Sequence, residues 1–247
     1  MADAKMEDVS FLEDAAGQGF EGMTSGEVAT PLLLISQAMS TSVQNGDIPQ
    51  GHFYNSVTGK DYGESVDVIV CHFEKMWYEW KPNQGGLVGR YPVGGLEGVT
   101  GDVYTGLKHG ENDVLETWLY IVVLPNHLED GFLVFSSTRG NLRYLKAWNT
   151  QMKYLRLPSG KPAPLFAAVW NMTLGKDANK QGKQYYSCNA NGKSSIHQNG
   201  WVTKVVFDDY VTPARQIADN TVAKIDTQQV NALEDETGSE TSDDVNF

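Results

Sequence analysis

Cysteine is nearly absent: Cys71 and Cys188 are the only two in 247 residues. Two thiols cannot staple a secreted scaffold of this size, so both are expected to be reduced and buried in a cytosolic protein. No apolar run reaches the length of a membrane span, and the longest are about strand length. The opening Met-Ala-Asp-Ala-Lys-Met-Glu-Asp is acidic and mixed, unlike a secretory signal or a transit peptide.

Catalytic and metal motifs are missing too. Asn191-Gly192-Lys193-Ser194 imitates the end of a phosphate-binding loop, but the motif's first glycine would fall at Ser187, and a hairpin turn is the better reading. Gly17, Gly19 and Gly22 have dinucleotide-type spacing without a strand before them, in an acidic stretch. Cys71, His72, Cys188 and His197 lack the paired spacing that anchors zinc, and adjacent Cys71 and His72 would point to opposite faces of a strand. Asp208-Asp209 and Glu111 with Asp113 read as solvated acids rather than magnesium ligands. No enzyme and no cofactor is expected.

Acids are scarce where bases are dense. The net charge is −12, yet from Phe132 to Lys204 eleven bases face Asp177 alone, a local +10. From Asp208 onward ten acids face Arg215 and Lys224, a local −8. Residues 1–28 carry seven acids against Lys5. The chain therefore reads as a basic body with acidic ends. Residues 1–28 form a flexible acidic arm, 29–211 the folded body, 212–233 a helix or linker, and 234–247 a disordered acidic tail. The tail holds six acids and no base, and ends on Val245-Asn246-Phe247. A purely solvating tail has no use for a terminal ring, whereas a linear motif inserting one ring into a partner's pocket does. Asp243, Asp244, Val245 and Phe247 are its expected contact residues.

Within the body, Thr30-Pro31 precedes Leu32-Leu33-Leu34-Ile35, which opens either a short buried helix or a strand. Gly51 to Gly63 reads as a turn between short strands. Val66 to Lys81 is the clearest strand: Phe73, Lys75, Trp77 and Glu79 share one face, while His72, Glu74, Met76, Tyr78 and Trp80 share the other. A glycine-rich curved strand follows around Gly85–Tyr91, and Gly94–Gly110 reads mostly as loop. Thr117–Leu124 and Phe132–Phe135 make a strand hairpin. Ser136-Ser137-Thr138 offer N-caps to a helix running to about Leu157, with a core stripe of Leu142, Leu145, Trp148, Met152 and Leu155. Arg139, Arg143, Lys146, Thr150 and Lys153 make a second, charged stripe. Strands follow at Pro164–Leu174, Tyr185–Cys188 and Trp201–Phe207, then a helix from Thr212-Pro213. The order predicts a mainly β fold: an OB-like five-stranded Greek-key barrel with its helix between strands 3 and 4, extra strands and flexible acidic termini.

Single-stranded nucleic acid is held by cations along its phosphates and rings stacked on its bases, so the two must lie side by side. Candidates are Lys75, Trp77, Tyr78, Trp80, Lys81, Arg90 and Tyr91 from the early strands, and Arg139, Arg143, Tyr144, Lys146, Lys153 and Tyr154 from the helix. Lys180, Lys183 and Tyr185, with Tyr186, complete the set. For any one ring, burial in the core competes with this role. For the region as a whole, one acid among twelve charges is unlike a solvated face, which mixes signs.

The tail ending Ser242-Asp243-Asp244-Val245-Asn246-Phe247 is similar to the acidic, Phe-terminated tails of bacterial and podophage single-stranded DNA-binding proteins. The body from about Glu27 to Val206 resembles a phage family of that kind through Ala29-Thr30-Pro31, Tyr54-Asn55-Ser56-Val57-Thr58-Gly59, Tyr78-Glu79-Trp80 and Lys146-Ala147-Trp148-Asn149. Val245-Asn246 stands where the bacterial tail has Ile-Pro, and the body exceeds a minimal OB domain. The resemblance implies a non-catalytic protein of the infected host's cytoplasm. It would coat and protect single-stranded DNA in replication and recombination and recruit polymerase, helicase or nuclease through its tail. Self-association stays open, as do strand annealing and the alternative of a phage structural or assembly protein.

Overall fold

The computed structural model describes residues 29–82, 85–103, 106–138, 142–178, 182, 184–188 and 196–221. The expected N-terminal arm and acidic tail lie outside this set.

The organising element is β4 (Ser65–Trp80), a strand of 16 residues and roughly 50 Å. Its long partner is β8 (Asn112–Val123), paired antiparallel from Ile69↔Val123 to Trp80↔Asp113. On the other edge of β4, β10 (Ala168–Thr173) pairs with Ser65–Ile69 and β5 (Leu87–Pro92) with Met76–Trp80. Beyond β8, β9 (Phe132–Thr138) pairs with its second half and β7 (Gly106–His109) with its first. The outer strands are β13 (Ile196–Trp201) on β10 and β6 (Val99–Asp102) on β7. Three short strands, β1 (Leu33–Ile35), β2 (Phe53–Asn55) and β3 (Asp61–Gly63), form a separate antiparallel sheet, joined to β9 by a parallel bridge from Leu32 to Val134. The last pair is the hairpin of β11 (Gly175–Ala178) and β12 (Gln184–Ser187).

The fold is mainly β and antiparallel, as the sequence predicts. The expected five-stranded Greek-key barrel does not close: the main sheet is open, and its path runs β13-β10-β4-β8-β7-β6. The reason lies in β4, which is long enough to carry two sets of neighbours and so spreads the sheet along its length instead of rolling it up.

Both faces of the sheet are covered. On one, α2 (Leu142–Tyr154) buries Tyr144, Leu145, Trp148 and Met152 against Val66, Val68, Val70, Tyr120, Val122 and Trp170. Trp148 stacks on Tyr120 at 5.0 Å and meets Trp170 edge-on at 6.2 Å. On the other, Ile69, Cys71, Met76, Tyr78, Trp80, Leu119 and Ile121 pack with Val211 and Ala214 of the C-terminal helical run. That run comprises α3 (Lys204–Val206), a π turn (Phe207–Val211) and α4 (Thr212–Thr221). A short α1 (Thr41–Gln44) lies between β1 and β2.

The faces of β4 are set by a β-bulge at Cys71: Val70 pairs with Val122, and His72 with Ile121. The extra residue reverses the alternation, so Phe73, Lys75, Trp77 and Glu79 join Val66, Val68 and Val70 on the α2 side.

Several element boundaries differ from expectation for visible reasons. Of the two forms open to it, Leu33–Ile35 takes the strand, because it pairs antiparallel with Phe53–Asn55. Ser136-Ser137-Thr138 finish β9, pairing with Leu119, Trp118 and Thr117, so they do not cap α2. Gly94–Gly110 holds the β6–β7 hairpin. Trp201 ends β13, and the Thr203 hydroxyl then accepts the Val206 N–H, turning the expected strand into a helix start. The turn between β2 and β3 is as read: the Asn55 side chain accepts the N–H groups of Val57 and Thr58.

Candidate nucleic-acid interface

Helix α2 contains no acid, and its outward side exposes Lys146, Lys153 and Tyr154, the last 64% exposed. Just beyond it Arg156 and Lys161 are exposed, and no acid occurs between Asp130 and Asp177. The charged stripe is therefore outward where it is described. Arg139, Lys180 and Lys183 lie outside the described residues, as does the side chain of Arg143, and as do Asp243, Asp244, Val245 and Phe247.

The strand candidates do not form one cluster; the pleat divides them. Lys75, Trp77 and Tyr91 lie on the α2 side, where Trp77 and Tyr91 are register partners. Lys75 is exposed, 4.6 Å over the Trp118 ring and 3.8 Å from Glu116. Trp77 is half-buried, with its indole N–H shielded and without a hydrogen-bond partner among the described residues. Tyr78 and Trp80 lie on the opposite side and are buried with Met76, so they are core, not stacking surface. Burial pushes the Tyr78 hydroxyl up to about 12. Arg90, the register partner of Tyr78, sits 5.7 Å over its ring on that same side. Lys81 is exposed past the end of β4.

Tyr144 is a second correction. It is 3% exposed and lies under α2, where burial raises its hydroxyl well above the ordinary tyrosine value. Its spacing was a usable signal: Tyr144, Trp148 and Met152 fall at four-residue intervals on the apolar side of the helix. Tyr185 is half-buried, its hydroxyl 3.4 Å from Asp177. Tyr186 packs its ring on Gly51 with the Lys176 ammonium 5.5 Å from the ring centre, while Gln37 exchanges two hydrogen bonds with its backbone.

What sequence reasoning missed is a carboxylate hub. Glu79 is 2% exposed and accepts from His109 Nδ1 at 2.6 Å, Asn112 Nδ2 at 2.7 Å and the Tyr91 hydroxyl at 3.1 Å. These donors come from β7, β8 and β5. Burial alone would raise the carboxyl, but the three hydrogen bonds outweigh it and hold Glu79 below the usual carboxylate range. A lone glutamate at a strand position facing the sheet interior, beside a strand bearing tyrosine, was the available hint.

No metal set emerges from the residues weighed for zinc, since Cys71 and Cys188 lie on opposite faces of the sheet. His127, Glu129 and Asp130 converge closely enough to hold an ion. The Lys60 ammonium already occupies that role, 2.5 Å from Glu129 and 2.8 Å from Asp130. Among the described residues no helix is long and apolar enough to cross a membrane.

No curated protein and no solved structure matches the chain. One family model does, over residues 2–222, which takes in all of the folded body described above. The chain belongs to the family of Pam3 phage gp34-like proteins.

Proposed function

We propose that this phage protein binds single-stranded DNA and takes no catalytic part. The observation that carries the reading is the outer side of α2, where Lys146, Lys153 and the ring of Tyr154 stand exposed on a helix without an acid. Cations and a solvent-facing ring side by side suit alternating phosphates and bases. The sheet face under that helix continues to Lys75, Trp77 and Tyr91, which supplies a third cation and two more rings on the same side. Helix α2 lies between β9 and β10, the place an OB-type plan gives its helix, and we read the body as an opened variant of that plan. In the infected cell the protein would coat strands exposed in replication or recombination. Its acidic tail would recruit polymerase, helicase or nuclease through Asp243, Asp244, Val245 and Phe247.

Titration of intrinsic tryptophan fluorescence with oligo-dT at several salt concentrations tests this. Micromolar or tighter binding that weakens steeply with salt is expected, and no binding at low salt sinks the reading. Replacing Lys146 and Lys153 together by Ala should weaken binding to all sequences alike and lower the salt slope by about 1 to 2. Phe247→Ala should spare oligo-dT binding while losing the partner protein in a pull-down from infected cells.

A structural or assembly role is favoured by one observation, the exposed Val88, Val93 and Val103 around the β5–β7 segment. Recovery of the protein in purified virions, together with no binding to oligo-dT, would establish it.

A further inference from the structure

Tyr91 is held in a manner that its packing does not require. A Cβ added to Gly89 would lie 2.6 Å from the Tyr91 hydroxyl oxygen and 3.1 Å from Cε2, so the far half of the ring passes directly over this glycine. Gly89 is not among the glycines with positive φ, so the demand for glycine there is spatial, not conformational. The hydroxyl ends on Glu79, the register partner of Gly89, and Glu79 is itself fixed by His109 and Asn112. The ring is thus laid along the strand, clamped at its polar end, and only half-buried. Its register partner Trp77 lies next to it, also half-buried, with Lys75 two residues away on the same face. Both carboxylates of this surface are engaged by neighbours: Glu79 by its three donors, and Glu116 by the Trp118 indole N–H at 2.7 Å and by Lys75.

We propose that Tyr91, laid over Gly89 and clamped to Glu79, is a platform on which one unpaired base of the bound strand stacks, with Trp77 beside it and Lys75 on the adjoining phosphate. This rests on the single-strand reading above and specifies which rings perform the stacking. A clamped ring loses little freedom on binding, which is what a stacking surface needs. Tyr91 is then a contact residue, while Gly89 and Glu79 are positioning residues.

The test compares oligo-dT with an abasic oligomer of the same length, which keeps the phosphates and removes the bases. Wild-type protein should prefer oligo-dT. Tyr91→Leu should cut oligo-dT affinity by about 5- to 100-fold and leave abasic binding within about 2-fold. Gly89→Ala should do the same while leaving every aromatic residue in the sequence, because the new methyl displaces the flexible end of Tyr91 and not the backbone. Tyr91→Phe keeps the ring but frees it from Glu79 and should fall between Tyr91→Leu and wild type. Unchanged preference for oligo-dT in both Tyr91→Leu and Gly89→Ala, or equal losses on both oligomers, overturns the platform alone. Failure of wild-type protein to bind either oligomer overturns the single-strand reading and the platform with it.

Discussion

Aromatic residues in this chain look alike in the sequence and differ in the fold according to which neighbours share their face. Tyr78 and Trp80 follow Met76 at two-residue spacing and join the layer under the C-terminal helices, whereas Trp77 takes the other face. Tyr78→Ala should therefore destabilise the protein by about 3 to 5 kcal/mol in urea unfolding, with oligo-dT affinity of the folded fraction unchanged. Trp148→Ala, which removes the ring between Tyr120 and Trp170, should cost a similar amount. Glu79 gives a pH signature. Its folded carboxyl lies below the ordinary range, so its stabilising contribution is whole at neutral pH and is lost as pH falls through its folded value. The charged and titratable groups facing that surface are Tyr91, His109, Glu116 and Lys75. Glu79→Gln should lower stability at pH 7 and flatten the acid limb of the unfolding curve, measured by thermal denaturation from pH 3 to 7.

Elements whose residues report a single periodicity were legible in the chain. Asn55 and Gly59 mark their turn, β4 and β8 announce themselves by β-branched and aromatic runs, and α2 shows its apolar stripe through Leu145, Trp148 and Met152. Elements whose form depends on a distant partner were not. Leu33–Ile35 is a strand because Phe53–Asn55 lies opposite it, a pairing that no local pattern encodes. Thr138 belongs to β9 because Thr117 is opposite it, although Ser136-Ser137-Thr138 alone spells a helix cap. The candidate interface divides the same way. The charge of α2 could be counted, but the clamp on Tyr91 joins residues from four strands and could not. Gly51 is a related case: its φ of 83° and the Tyr186 ring against it both exclude a side chain. Gly51→Ala should destabilise by about 1 to 3 kcal/mol and detach the β11–β12 hairpin, seen as faster amide exchange there.

At the scale of the whole molecule, one sheet carries helices on both faces, and the surface proposed for DNA lies wholly on one of them. Which residues occupy that face is decided at Cys71, the unpaired residue of the bulge in β4. The strand takes up there one residue that its partner does not match, so even-numbered residues lie on the α2 face before it and odd-numbered residues after it. Deleting Cys71 should close the bulge and leave Val70 opposite Val122 and His72 opposite Ile121, so every downstream residue keeps its face and a folded protein should be recovered, as far-ultraviolet circular dichroism would report. Deleting Lys75, within the regular ladder, should instead carry Met76 and Tyr78 to the α2 face, and no soluble folded protein should be recovered. Relatives of this protein should accordingly differ in length by one residue at Cys71 and not within the regular stretches of β4 on either side.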